Sequence, residues 1–181
     1  MPVMTPRLRN TLLTLSLTGL ISLVGYEGYR RQAYDDGVGV QTVGYGSTVH
    51  ADGKTPVKAG DTLTPDRALI TLGAHVSRLE MQMRACIGPV PLAQPEWDAY
   101  VSLAYNIGAA AFCKSGIVRA LHATPPDYGG ACAQIRRWVY AGGKKLPGLV
   151  KRREGEYRLC RGADSLPTPA LPTSGDGANT P

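Results

Sequence analysis

The 181-residue sequence predicts a mainly helical α+β protein, and two observations lead to that prediction. After the turn signal Asp35-Asp36-Gly37, the stretch from Val38 to Tyr45 alternates Val, Gly, Thr and Tyr, as a Gly-rich β-hairpin does. Beyond residue 64, apolar residues recur at helical spacing in several segments. A hydrophobic content of 43% with 19% charged residues is ordinary for a globular protein and excludes wholesale disorder.

Residues before Tyr34 have a helical pattern, which places Glu27 on a helix, while Asp36 and Thr42 lie on the hairpin that faces it. A carboxyl on one element and a carboxylate with a hydroxyl on another are the groups that glycosidic hydrolysis requires. One group protonates the leaving oxygen and the others hold the attacking water. On spacing alone, solvated side chains and ordinary hairpin turns are the favoured interpretation.

The stretch that starts at Glu27 reads EGYRRQAYDDGVGVQTVGYG. It resembles the catalytic signature of the phage-type lysozymes, E-G-x-R-x-x-A-Y-x-D-x-x-G-x-x-T-x-G-Y-G, and fills every fixed position. The resemblance covers about residues 26–161. It implies a two-lobed lysozyme-like fold in which a long helix joins a small catalytic lobe to a helical lobe. The implied activity is hydrolysis of the β-1,4 bond between N-acetylmuramic acid and N-acetylglucosamine, with Glu27 as general acid and Asp36 and Thr42 positioning water.

Two long helices are predicted in the second half of the chain. Thr64-Pro65-Asp66 is a strong helix start, and the apolar spacing continues to Ala85 before Gly88-Pro89 ends it. A further helix opens at Pro95 with an apolar face that includes Trp97, Tyr100, Val101, Ala104 and Ile107. A short helix over residues 130–138 and a loop over residues 141–148 are expected after it.

The family resemblance also implies contacts with the saccharide. It places Tyr105 and Asn106 in the floor of the cleft, Ser115 in its lining and Arg137 beside the substrate. A plain N-cap role for Ser115 is an equal alternative. Either Arg152 or Arg153 is expected to meet the Glu27 carboxyl, although a solvated charged helix face is the ordinary interpretation of such basic clusters.

The four cysteines contain no C-x-x-C pair, which argues against a zinc site and a thioredoxin-like site. An even number in a chain with an export-like start suggests two disulfides, and four free thiols are the alternative. The family topology implies the pairs Cys86–Cys113 and Cys132–Cys160. The three histidines show no metal-ligand spacing, so neither a metal nor a cofactor is predicted.

The N-terminal segment has Arg7 and Arg9 ahead of an uncharged run from Thr11 to Val24. This run is shorter than the roughly 20 residues that span a bilayer, and no small-x-small cleavage site follows it. It resembles the signal-anchor-release segment of some phage endolysins. The resemblance implies that residues 11–24 enter the host inner membrane and later leave it, so that the enzyme reaches the periplasm. A buried N-terminal helix is the alternative.

These features divide the chain into an anchor-like segment 1–25, a catalytic domain 26–162 and a Pro/Thr/Ser/Gly-rich tail 163–181 expected to be disordered. The net charge of +6 predicts a polyanionic partner. Because no nucleic-acid-binding motif is present, anionic peptidoglycan is preferred to nucleic acid, and a monomer is expected. Two rival functions are a lytic transglycosylase and an inactive, membrane-anchored wall-binding protein.

Overall fold

The computed structural model describes residues 6–35 and 39–162, and these residues form a mainly helical α+β fold, as predicted. The helices are α1 (Leu17–Glu27), α2 (Pro65–Ile87), α3 (Gln94–Ile107), α4 (Ala109–Cys113), α5 (Gly116–Leu121), α6 (Tyr128–Gln134) and α7 (Pro147–Cys160), with 3₁₀ helices at Asn10–Leu12 and Ile135–Arg137. The antiparallel strand pairs are β1 (Leu8–Arg9) with β4 (Pro91–Leu92), β2 (Arg30–Asp35) with β3 (Gln41–Gly44), and β5 (Tyr140–Ala141) with β6 (Lys144–Lys145).

The main hydrophobic core surrounds α3. Trp97 and Tyr100 of this helix are fully buried, together with Phe112 of α4 and Ile117 of α5. Most of the apolar face predicted for this helix is therefore core, although Ile107 is only partly buried. The apolar residues that repeat along α2 join the same core, which explains why α2 packs along its full length.

The helix that carries Glu27 is shorter than the sequence pattern predicted. We expected helical structure up to Tyr34, but α1 ends at Glu27 and Arg30–Asp35 is a strand. Gly28 adopts a φ of +67°, and a glycine in this region ends a helix at little cost. Strand β2 then pairs with β3, so that Tyr34 lies opposite Thr42. Hairpin pairing outweighs the helical pattern because it satisfies the backbone of both segments.

Smaller differences concern element ends. Helix α2 continues two residues beyond Ala85, to Ile87, and ends where Gly88 adopts a φ of +69°. The short helix predicted over residues 130–138 is α6 followed by a 3₁₀ turn. The stretch predicted to be a loop, 141–148, contains the second residue of strand β5, all of β6 and the first two residues of α7. The strands pair because Gly142 and Gly143 both take positive φ and reverse the chain tightly.

The N-terminal segment packs against the helical lobe. Leu13 is 2% exposed and Leu23 is 0% exposed, so both belong to the core. The boundary predicted between residues 25 and 26 falls inside α1. None of the helices in the described parts of the chain has both the length and the apolar character needed to cross a membrane.

Polar contacts fix the same segment to α2 and α3. Ser16 caps α1, and both its backbone N–H and its hydroxyl donate to Asp98, at 2.9 and 2.5 Å. Gly19 lies so close to Asp98 that an added Cβ would approach its Cγ to 2.9 Å. Two of the small and polar residues that dilute this apolar run, Ser16 and Gly19, thus fit it to the folded domain.

Two disulfide bonds are present, Cys86–Cys113 and Cys132–Cys160. They confirm the pairing implied by the family resemblance. The first joins the end of α2 to α4, and the second joins α6 to the end of α7, so both staple the helical lobe. No cysteine among the described residues is free.

Candidate active site

Glu27 is the last residue of α1, and its side chain is 17% exposed. Its Oε1 accepts a hydrogen bond of 2.9 Å from Nη1 of Arg152 on α7. Of the two arginines predicted to meet this carboxyl, Arg152 is the one that does. The ion pair between Glu27 and Arg152 joins α1 to α7 and holds the carboxyl at a partly enclosed surface.

Arg152 is itself fixed by three further contacts. Its Nε donates to Glu156 Oε1 at 3.1 Å, its Nη2 donates to the Ser102 carbonyl at 3.2 Å, and its guanidinium lies over the Tyr26 ring at 4.8 Å. A guanidinium whose donors are used in several directions has little rotational freedom. Arg152 therefore positions the Glu27 carboxyl.

Glu156 anchors this network. It is fully buried, and its carboxylate also accepts from Ser102 Oγ at 2.7 Å and from Arg153 Nη1 at 2.5 Å. Arg153 in turn donates to Asn106 Oδ1. The sequence analysis did not identify Glu156, although its spacing of four residues from Arg152 on a predicted helix was the signal that could have found it.

The second Glu27 oxygen faces the end of the hairpin. At Gly46, where φ is +81°, an added Cβ would lie 3.1 Å from Glu27 Oε2. The neighbouring Tyr45 carbonyl accepts a hydrogen bond of 2.7 Å from the Tyr105 hydroxyl of α3. Tyr105 thus joins the hairpin lobe to the helical lobe beside Glu27, a role that the family resemblance did not suggest for it.

Burial and the adjacent Glu27 carboxylate raise the pKa of the Tyr105 phenol, so the hydroxyl remains a donor. Its ring packs on His75, with centroids 4.8 Å apart. Burial, with a smaller contribution from Arg78, lowers the pKa of His75, which favours the neutral imidazole. The ring that packs on Tyr105 is therefore a neutral imidazole.

Thr42 lies on β3 and is 5% exposed. Its hydroxyl is 3.5 Å from the Val40 carbonyl, a long contact that leaves the hydroxyl free to form a shorter one. Asp36 lies outside the described residues, so its predicted role is not tested by geometry. The site geometry thus comprises Glu27, Arg152, Gly46 and Tyr105, and Thr42 lies on β3, the strand that leads towards Gly46.

The remaining predicted substrate contacts are placed differently. Asn106 is exposed and bonded to Arg153. Ser115 is buried and caps α5 by accepting from the Ile117 N–H at 3.2 Å, which is the alternative role predicted for it. Arg137 is exposed, and its Nη1 is 3.4 Å from Gln134 Oε1. Among the hydrogen bonds of the described residues, none joins Ser115 or Arg137 to the Glu27 network.

The described residues contain no group of three or more His, Cys, Asp or Glu side chains arranged to hold a metal ion. The chemistry available at Glu27 is that of a carboxyl group placed at a lobe interface, with one oxygen occupied by a guanidinium and the other facing a glycine. Such a group can exchange a proton with a bound substrate.

The model of the family described as phage lysozyme matches residues 24–156 of the chain, a span that contains Glu27, Thr42, Tyr105 and Arg152. The chain belongs to the phage lysozyme family. It is therefore a glycosidase, and the fold and enzyme class implied by the hairpin motif are confirmed.

Phage proteins in the same family are similar over most of this lysozyme's length. The SAR-endolysin of Bacteriophage PS119 is 35% identical over 168 residues, covering 87% of this chain and 96% of that protein. The SAR-endolysin of Enterobacteria phage P21 is 37% identical over 144 residues, covering 80% of this chain and 82% of that protein. A crystal structure of a P22 lysozyme mutant superimposes with a TM-score of 0.70 at 33% identity, covering 83% of this chain and 99% of that one.

Proposed function

We propose that this lysozyme is an endolysin that hydrolyses the β-1,4 bond between N-acetylmuramic acid and N-acetylglucosamine in peptidoglycan, with Glu27 as the general acid. The observation that carries the proposal is the placement of Glu27 at the lobe interface. Arg152 holds Oε1, while Oε2 lies so close to Gly46 that an added Cβ would approach it to 3.1 Å. Oε2, which Arg152 does not bind, is the oxygen that we assign to protonating the leaving glycosidic oxygen.

The attacking water requires a second polar site across from Glu27. We assign that site to Asp36 and Thr42, because Thr42 is held on the hairpin and its hydroxyl makes only a long contact of 3.5 Å among the described residues. A carboxyl separation of roughly 6.5–9.5 Å between Glu27 and Asp36 would leave room for water and would give inversion at the anomeric carbon. A lytic transglycosylase would need no water-holding pair, so the products distinguish the two enzymes.

Glu27→Gln tests the assignment. The amide keeps the shape of the side chain but has no acidic proton, so wall-digesting activity should fall by about 10²–10⁴-fold while the fold is retained. Thr42→Ala should also lose activity, and Thr42→Ser should lose less because the hydroxyl survives. The measurement is release of reducing ends from purified peptidoglycan, with thermal unfolding as the folding check.

The exposed Asp66→Asn serves as a control for a carboxylate-to-amide change away from the site. Substantial release of reducing ends by the Glu27→Gln protein would refute the role of Glu27. Anhydro-muramic ends in place of reducing ends in the wild-type digest would identify a transglycosylase.

We also propose that residues 11–24 occupy the host inner membrane before the enzyme is released to the periplasm. The phage proteins of PS119 and P21 named above are both SAR-endolysins, and the segment has no charged residue between Arg9 and Glu27. The folded enzyme gives this segment a second location, in which Leu13 and Leu23 are buried in the protein core instead of lipid. Ser16 and Gly19, which lower its affinity for lipid, fit it to Asp98.

A further inference from the structure

The turn that follows Thr42 is a small closed unit of residues 43–47, which we call the 43–47 turn. It is closed by two backbone hydrogen bonds between its first and last residues. The Val43 N–H donates to the Ser47 carbonyl at 2.9 Å, and the Ser47 N–H donates to the Val43 carbonyl at 3.0 Å. Because Thr42 is covalently joined to Val43, a shift of this turn as a unit also moves Thr42.

Two glycines of the 43–47 turn bring it close to two helices. At Gly44, where φ is +69°, an added Cβ would lie 3.0 Å from the Cβ of Ala68 on α2. At Gly46, an added Cβ would lie 3.1 Å from Oε2 of Glu27 at the end of α1. Such contacts limit how closely the turn can approach α1 and α2, because overlapping atoms repel each other. They do not prevent the turn from moving away from these helices.

The hydroxyl of Tyr105 makes an attractive, directional contact with the same turn. It donates to the carbonyl of Tyr45, the residue between the two glycines, and the distance of 2.7 Å is that of a good O–H···O hydrogen bond. The Tyr105 ring packs on His75 of α2, and its Cε1 would be 4.0 Å from a Cβ added at Gly46. The ring therefore has neighbours on α2 and on the turn, which restrict the direction of its hydroxyl.

Helix α3, which carries Tyr105, also supports the proposed general acid. The Ser102 carbonyl of this helix accepts a hydrogen bond of 3.2 Å from Arg152, which in turn donates to Glu27. Ser102 and Tyr105 are three residues apart, so they lie on the same side of α3. One helix therefore contacts both the arginine that holds Glu27 and the 43–47 turn.

We propose that Tyr105 is a positioning residue whose hydroxyl, by holding the 43–47 turn, sets the separation between Glu27 and Thr42. The proposal rests on the proposed function, in which Thr42 holds the attacking water. A displacement of about 1 Å within a catalytic site can cost on the order of 10²-fold in rate, so a turn that moves away from Glu27 would slow the reaction. This role differs from the saccharide contact implied by the family resemblance, because the hydroxyl proton of Tyr105 is already donated to Tyr45.

Tyr105→Phe tests the proposal, since it removes the hydroxyl and keeps the ring that packs on His75. On solubilised peptidoglycan, kcat should fall by roughly 10- to 100-fold, while KM stays within about threefold of the wild-type value. Tyr100→Phe is the matched control, because Tyr100 is a buried tyrosine of the same helix whose hydroxyl is 3.9 Å from Cys132 Sγ. Its kcat should stay within about twofold of the wild-type value. Thermal unfolding verifies that both variants are folded at the assay temperature.

Amide hydrogen exchange of Val43 and Ser47, followed by NMR, measures the turn directly. Both amides close the 43–47 turn, so their exchange should accelerate when the turn loses its contact with Tyr105. The expected acceleration in Tyr105→Phe is roughly two- to tenfold, as the loss of one hydrogen bond allows, with no change in Tyr100→Phe. This measurement involves no substrate, so faster exchange supports the holding of the turn even if Glu27→Gln remains active. Failure of the proposed function is thereby recognised separately.

Three results would overturn the proposal. The first is an unchanged exchange rate at Val43 and Ser47 in Tyr105→Phe. The second is a rise in KM at constant kcat in the same variant, which would identify Tyr105 as a saccharide contact. The third is an equal loss of kcat in Tyr100→Phe, which would show a general effect of removing a buried tyrosine hydroxyl from α3.

Discussion

Glu156→Gln tests whether the buried network positions Glu27. The carboxylate is fully buried and accepts from Arg152, Arg153 and Ser102, so the substitution removes the negative charge that two guanidinium groups share. Breaking a buried ion pair from one side typically costs about 3–5 kcal/mol in unfolding free energy. For a domain of this size, the melting temperature should fall by roughly 6–20 °C.

Thermal unfolding at neutral pH followed by circular dichroism measures this change. Glu154→Gln is the matched control, because it is the same substitution on the same helix at a carboxylate that is 37% exposed, where an ion pair contributes about 1 kcal/mol or less. At a temperature where the Glu156→Gln protein is fully folded, its activity should still fall, since Arg152 loses the partner that aims it at Glu27. A drop in melting temperature below about 2 °C would refute the reasoning.

Two further predictions concern the disulfides and the N-terminal segment. The bridges join residues 27 and 28 positions apart, so chain entropy assigns about 3.5 kcal/mol of stability to each. Cys132→Ala/Cys160→Ala should nevertheless lower the free energy of unfolding in chemical denaturation more than Cys86→Ala/Cys113→Ala does, because Cys132 and Cys160 are almost fully buried. A larger loss in Cys86→Ala/Cys113→Ala would contradict this prediction. Gly19→Leu should keep the enzyme in the membrane fraction after depolarisation, since a side chain there collides with Asp98, whereas the exposed Thr18→Leu should still be released. Retention of both variants would show that hydrophobicity alone decides release.

The sequence by itself determined the family and the fold class, and it led to the proposal that Glu27 is the general acid. These properties follow from the motif between Glu27 and Gly46. Its residue types at fixed spacing are required by the local turn geometry and by the hydrolysis of a glycosidic bond. The start of α2 was equally readable and its end was predicted to within two residues, because Thr64, Pro65 and Gly88 act through their own backbone. Features that depend on one residue and its neighbours in the chain are recoverable from sequence.

Only the tertiary structure decided which long-range partners these residues have. The sequence offered Arg152 and Arg153 equally, and the packing of α7 on α3 turns Arg152 towards Glu27 and Arg153 towards Asn106. The end of α1 at Glu27 was likewise settled by the pairing of Arg30–Asp35 with a strand that lies later in the chain. Tyr105 donates to a carbonyl 60 residues away, and neither partner has a local signal of that contact. The physical reason is that local patterns record backbone preferences, whereas the direction of a buried side chain depends on the free energy of the whole packed core.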